Sequence, residues 1–518
     1  MPIRCSDQTW AKTDIKKAEL FAEHLCNVFK PYDDVIDHEF VSSVKESLLA
    51  PLPLSLPPKS ITINEVSCTI LKLPLKKSPG YDLITSEILR QLPYKGLLLL
   101  TEIFNAILRL GHFPVQWKVA EIILIHKPDK PTHLVTSYRP ISLLPVPSKI
   151  FERILLDRIL PIIEESVPDH QFGFRKAHST IHQLHRVTDF IATGLENKQY
   201  TSGVFLDVTA AFDKVWHEGL LYKLKPILCN NYYGVIRSFL EDRFFRVRHG
   251  SAYSQLKPIE AGVPQGSILS PLFYNIYTSD IPQNPNTIIC TYADDTAILS
   301  SSDLPDNTSS TLQQHMDEVQ EWTKKWRIKI NPTKSTQVTF TLRTQTCPPV
   351  TLNNTPLSQE KTVRYLGLHL DRRLTWSHHI KCKRLTLNAR LKLLFRLMKP
   401  KSPVKLNQKL LLYKSLLKPI WCYGLQLFGC AKKSNVNKIQ CFQSKVLRLI
   451  TGAPSYVNNH ILHKDLKIPF VNEVAKSHYK KFHNKTTNHT NPLIRHISRV
   501  QDYPIRRLNR RWSRDLLR

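Results

Sequence analysis

The sequence predicts an α+β fold, and three observations carry that prediction. Between residues 201 and 300, short runs rich in β-branched and apolar residues alternate with helix-like stretches. Before about residue 200, amphipathic segments such as SKIFERILLDRILPIIEE alternate with extended ones such as AEIILIHKP. After Asp371 the pattern turns nearly all helical and basic, as in LTLNARLKLLFRLM.

Taken in order, IKKAELFAEHLCNVF has the apolar spacing of a helix, and PLPLSLPP (51–58) reads as a linker. SGVFLDV reads as a strand ending at Asp207, with Thr209 a candidate cap for a following helix, AAFDKVWHEGLLYKL. SILSPLFYNIYTSDI reads as another helix. NTIIC and TAILS then flank Asp294 and Asp295 as two strands joined by a tight turn. The chain closes on the Arg-rich RRLNRRWSR, and no repeat at solenoid spacing occurs.

Bulk properties narrow the function. A chain of 518 residues has core enough for about two to four domains without covalent staples. Ten cysteines without a CxxC pair, and no apolar leader, point to reduced thiols inside a cell. The longest apolar runs, such as GLLLL at Gly96–Leu100, fall far short of the ~20 residues that span a bilayer, so no membrane partner is expected. The formal charge of +31 is concentrated: residues 372–518 hold 33 Lys and Arg against four Asp and Glu. Between Asp371 and Asp465 no acidic residue interrupts 20 basic ones, whereas a solvated face mixes both signs. With Trp376, Phe395, Trp421, Tyr423 and Phe428 interleaved, this track suits a nucleic-acid polyanion.

Asp294 and Asp295 are, read locally, either a solvated turn or part of a cation site. Asp207, at a strand end, is either a helix cap or the missing third carboxylate. Three carboxylates converging from one sheet are tolerable only with cations between them. Hard oxygen ligands in small number select Mg²⁺, with Mn²⁺ as substitute. Two such ions ~3.5–4 Å apart suit an in-line phosphoryl displacement.

Eight ordered blocks carry a resemblance: KKSPGYD (76–82), SYRPISLL (137–144), HQFGFRKAHST (170–180), FLDVTAAFDKVWH (205–217), GVPQGSILSPLFYNIY (262–277), YADD (292–295), NPTKS (331–335) and RYLGLHLD (364–371). In this order they resemble the reverse transcriptases of non-LTR retrotransposons of the LINE type, the jockey-like ones most, over roughly residues 60–460. The resemblance implies a right-hand polymerase fold. It would comprise an N-terminal segment and linker (1–59), fingers (60–200), a palm with an antiparallel sheet (201–375, with a fingers insertion about 215–260), a helical thumb (376–465) and a basic tail (466–518).

It further implies that Asp207, Asp294 and the more variable Asp295 bind the catalytic metals, with the Val208 carbonyl as a further ligand. Phe212 would pack under the incoming sugar and exclude a 2′-OH; its plainer reading is a core residue. Gly262, Gln265 and Gly266 would form a loop that lets backbone approach nucleotide and template. Lys127 and Arg139 would hold the triphosphate. Lys334 would aid pyrophosphate departure or be a solvated turn lysine. Tyr365, Leu366 and Gly367 would form the primer grip.

The implied partners are an RNA template, a DNA primer, the RNA–DNA duplex and dNTPs, in cytoplasmic ribonucleoprotein and the nucleus. Departures from the family pattern are the mere 75 residues before KKSPGYD, where related elements carry an endonuclease, and the lack of a zinc-knuckle spacing after the thumb. DNA cleavage is therefore not expected. Two rival readings are a non-catalytic RNA-binding remnant, which has no use for three crowded carboxylates, and an RNA-synthesising polymerase, which Phe212 disfavours.

Overall fold

The computed structural model describes residues 2–4, 8–34, 36–52, 55–128, 130–497 and 507–517. The chain divides into two compact units, each discontinuous in sequence: residues 1–174, 208–282 and 318–331 form one, and residues 175–207, 283–317 and 332–518 the other.

The first unit is built on a sheet in which the strand Val119–His126 pairs antiparallel with Tyr138–Leu143 and parallel with Arg243–His249. Its faces carry Ala120, Ile122, Phe245 and Val247, all fully buried. The helix Asp14–Val28 covers them with Phe21, Ala22 and Leu25. Thr13 caps that helix by accepting from Lys16 N. The N-terminal helix is thus core to this unit; residues 53 and 54 of the expected linker lie outside the described residues.

In the second unit the sheet order is Ser358–Gln359, Thr336–Phe340, Tyr200–Leu206, Asp295–Ser302, Ile288–Tyr292. Three of its four pairings are antiparallel, and Ser358–Gln359 pairs parallel with Thr336–Phe340. Tyr200–Leu206 is buried along its whole length, and its C-terminal half, Val204, Phe205 and Leu206, is the apolar run that marks it in the sequence. Leu184, Val187 and Ile191 of the helix Thr180–Glu196 join Phe205, Cys290, Ala297 and Leu299 in one core.

That core continues through the helices Ser377–Met398 and Lys433–Thr451. It also takes in Val471, Val474 and Tyr479 of the helix Val471–Thr486, and Trp512 and Leu516 beyond it. The segment whose charge suggested a tail is therefore folded among its described residues. Glu196 anchors it, accepting from Trp512 Nε1 at 2.6 Å and from the Arg507 and Leu508 amides at 2.8 Å each.

One expected element differs. Residues 210–214, expected within a helix, form with Thr209 a run of turns, and the helix His217–Leu224 starts later. Ala210 has φ 48°, which breaks helical propagation. Tertiary bonds hold this path: Thr209 N–H donates to Lys329 O at 2.8 Å, and Tyr32 Oη donates to Thr209 O at 3.1 Å. Thr209 accordingly caps no helix.

Candidate active site

The strand Tyr200–Leu206 delivers Asp207 just past its C-terminal end, where the Asp207 N–H donates to Ser335 Oγ at 3.1 Å. The adjacent strand begins at Asp295, pairing Thr296 with Leu206. Tyr292 pairs with Asp295, so Ala293 and Asp294 are the two central residues of the hairpin turn. Ala293 sits at φ 58°, a left-handed position that glycine would occupy without strain.

Two side chains from outside the hairpin fix its entry strand. Gln183 Nε2 donates to Thr291 O at 2.9 Å, and Tyr365 Oη donates to Cys290 O at 3.1 Å. Both side chains are buried.

The three carboxylates meet electrostatically. Asp295 has surface open to solvent, yet lost hydration, with the charges of Asp294 and Asp207 added to it, pushes its carboxyl up to about 6. A basic group does approach: Lys334 Nζ lies 3.3 Å from Asp207 Oδ2, but both are solvated, and such pairs count for little. The donor set is hard oxygen with surplus negative charge, so it fits a divalent cation.

The hairpin of Thr362–Tyr365 and Leu368–Asp371 turns through Leu366 and Gly367, at φ 43° and 80°. Tyr365 is buried and spends its hydroxyl on the Cys290 carbonyl; Leu366 and Gly367 are the part of this trio with open surface. Tyr423 Oη donates to Leu366 O at 2.7 Å and braces the turn.

The first unit holds the remaining candidates. Phe212 is half-buried, stacked on Tyr274 (centroids 4.6 Å apart, planes at 18°) and edge-on to Phe174 at 5.8 Å. Next to it, buried Asp213 accepts from Gln265 Nε2 at 2.8 and 3.0 Å on its two oxygens. The Gln265 carbonyl oxygen accepts the Ser142 N–H at 2.9 Å, which ties the loop to the strand Tyr138–Leu143. Gly262 and Gly266 are demanded here by the protein itself. Their φ values are 92° and 139°, and a Cβ would come within 2.6 Å of Asp213 O or 2.4 Å of Ser142 O. Arg139 is exposed on that strand, and Lys127, past the end of the paired strand, donates through Nζ to Thr136 O at 2.8 Å. Val208 forms an isolated antiparallel bridge with Ile330.

Sequence reasoning passed over Asp213, Gln183 and Ser335. Asp213 lies inside a quoted motif and Ser335 ends another, so position alone flagged both; no local signal distinguishes Gln183 from other helix-surface glutamines.

Burial pushes the Asp213 carboxyl up to about 6, against the opposing pull of the Gln265 amide, Lys127 and Lys214. The folded chain thus holds this proton more tightly than an unfolded one. Asp213 therefore adds stability as pH falls from about 6 towards 4, and withdraws it as pH rises. Asp213→Asn is expected to flatten that trend, by at most about 3 kcal/mol. Urea unfolding of both proteins at about pH 7 and 4.5 checks it; parallel pH dependences would refute the assignment.

Comparison with known proteins identifies relatives of the chain. Residues 125–370 match the family described as reverse transcriptase (RNA-dependent DNA polymerase), so the chain carries a reverse transcriptase domain on a right-hand polymerase fold. Its kinship is with the jockey-like non-LTR retrotransposons. It is 41% identical, over 100% of its own length, to a probable RNA-directed DNA polymerase from transposon X-element of Drosophila melanogaster. It is also 41% identical, over 98% of its length, to the RNA-directed DNA polymerase from mobile element jockey of the same species. The chain spans 57% and 56% of those two relatives. Among solved structures, a truncated apo telomerase from Candida tropicalis shares 13% identity at a TM-score of 0.34, over 52% of this chain and 59% of that one, too remote to inform the site. Reverse transcriptases generally work with divalent metal ions. No helix among the described residues is long and apolar enough to cross a membrane, and nine described cysteines are free thiols.

Proposed function

We propose that the chain is an RNA-directed DNA polymerase that adds deoxynucleotides to a DNA 3′-OH on an RNA template. The observation that carries this reading is the trio Asp207, Asp294 and Asp295 on neighbouring strand ends, with Asp295 pushed up to about 6 by burial and by the other two. Bound there, two Mg²⁺ ions, or Mn²⁺ in their place, would stabilise the attacking and leaving oxygens of phosphoryl transfer. The chain's own part is to hold three carboxylates ionised in one place, through the Ser335 bond to the Asp207 amide and the Gln183 and Tyr365 bonds behind the hairpin.

By the same reading residues 60–200 act as fingers, 201–375 as palm and 376–465 as thumb. Arg139 and Lys127 offer positive charge to a triphosphate, Lys334 to departing pyrophosphate, and Leu366–Gly367 support the primer end. A chain of this charge would travel with its RNA in cytoplasmic ribonucleoprotein and act in the nucleus. Primer extension by the purified protein on an RNA template, with dNTPs and Mg²⁺, is the test. Binding of the duplex without any extension would support the rival non-catalytic reading.

The helix Ser377–Met398 exposes Lys381, Arg390, Lys392 and Arg396. Phosphate neutralisation by such side chains releases counterions, so affinity for an RNA–DNA duplex is expected to fall steeply with salt. Replacing all four by Ala is expected to flatten the slope of log K against log salt by roughly 0.7–0.9 for each phosphate left without its cation. An unchanged slope, measured by fluorescence anisotropy across a salt series, would move the duplex off this helix.

A further inference from the structure

The second unit gathers a ligand set that the polymerase chemistry does not use. His369 lies on the strand Leu368–Asp371, and His378 and Cys382 lie one turn apart on the helix Ser377–Met398. One ligand atom from each falls within 4.8 Å of the other two. Cys382 Sγ and His378 Nε2 are 3.5 Å apart, and the rings of His369 and His378 are 5.1 Å apart between centroids. A tetrahedral zinc ion with bonds of about 2.3 Å to sulfur and about 2.0 Å to nitrogen needs its S and N ligands roughly 3.5 Å from each other. The Cys382–His378 edge already has that length.

A second observation points the same way. His369 Nδ1 is buried and has no hydrogen-bond partner, a cost that ligation would remove. The backbone N–H of His369 donates to His379 Nδ1 at 3.3 Å, which fixes the strand against the helix without consuming the His369 ring. The cluster stays reachable, since His378 is exposed and Cys382 half-buried.

We infer that His369, His378 and Cys382 form a Zn²⁺ site that pins the Thr362–Asp371 hairpin to the first turns of the helix Ser377–Met398. Two imidazoles and a thiolate are borderline-soft donors, which select zinc over the hard cations suited to the carboxylate site. With three protein ligands, the fourth position is left to solvent. Arg364, opposite His369 in the hairpin, and Lys383, next to Cys382, both bring positive charge toward the cluster, which sets its affinity below that of a four-ligand site. The two His and the Cys lie at spacings unlike a zinc knuckle, because strand and helix, not one loop, bring them together. The site is independent of the proposed polymerase chemistry and stands or falls by metal binding alone.

The test uses the full chain, stripped with chelator and titrated with Zn²⁺ and, in parallel, Co²⁺. One equivalent of zinc is expected, with a thiolate-to-cobalt charge-transfer band in the Co²⁺ form and a raised thermal midpoint. Cys382→Ser and His378→Gln, both at solvent-accessible positions, should abolish the band or lower zinc affinity by more than the roughly 10–100-fold that loss of an outer-shell partner costs. Asp294→Asn should leave zinc uptake intact. The proposal is overturned if the chain takes up no zinc, or if uptake survives both substitutions. It is equally overturned by cobalt binding without a thiolate band, since the 3.5 Å approach of Cys382 to His378 would then be only a thiol–imidazole hydrogen bond.

Discussion

Asp294→Asn is expected to reduce primer extension by at least about 10³-fold, the rate equivalent of several kcal/mol of lost charge stabilisation. Asp294 sits at the second central position of a two-residue turn whose flanking strands pair residue for residue from Tyr292–Asp295 to Ile288–Leu299. Replacing one carboxylate oxygen by an amide removes charge without altering that hairpin, so the protein should fold and bind duplex as before. Single-turnover extension and a parallel binding isotherm separate the two effects. Extension near the parental rate would remove Asp294 from the proposed metal site; a matching loss of binding would mean the hairpin itself had been damaged.

Phe212→Val is expected to lower the preference for dNTP over rNTP at least about tenfold, or ~1.4 kcal/mol of differential transition-state binding. Resemblance assigns this ring to the sugar of the incoming nucleotide. The structure shows why the ring keeps its orientation: Tyr274 stacks on one face at 4.6 Å, Phe174 meets it edge-on, and the Phe212 carbonyl accepts the Val263 N–H at 2.8 Å. Val keeps the backbone bond and loses the ring, so some loss of dNTP rate from looser packing is also expected. The discriminating measurement is kcat/KM for both nucleotides in single-nucleotide extension. If both fall together and the ratio stays put, Phe212 serves only the aromatic cluster, and the case against an RNA-synthesising enzyme weakens.

Legibility followed the range of the interactions involved. The strand Tyr200–Leu206 and the Asp294–Asp295 hairpin were readable because their patterns are local: the apolar run Val204–Leu206 ending at Asp207, and two strand-like runs flanking a polar pair. The turns after Asp207 were misread as helix because helical propensity in AAFDKVWH is overridden by the Lys329 carbonyl and the Tyr32 hydroxyl, which lie far away in sequence. At the C-terminus charge alone does not describe the segment. Arginines dominate the composition of RRLNRRWSR, yet Trp512 within it is 7% exposed, and one buried indole outweighs several solvated cations in deciding whether a segment packs. Of the candidate site, the carboxylates were visible as motif members, whereas the supports behind them are buried polar bonds no single-sequence pattern marks. Gln183 to Thr291 spans 108 positions and Tyr365 to Cys290 spans 75.

The Glu196 anchor has a consequence for biosynthesis. Its bond to Trp512 spans 316 positions, and Leu516 belongs to the same core as Leu184 and Phe205. A ribosome that has finished the carboxylate strands has therefore not yet made the residues that complete the core around them. The second unit completes this core only when translation reaches those residues, and until then the helix Val471–Thr486 lacks the packing of the segment Ser513–Leu517. Fragments ending before Trp512 should accordingly depend on chaperones for solubility, and the three carboxylates should assemble only once Leu516 has been made.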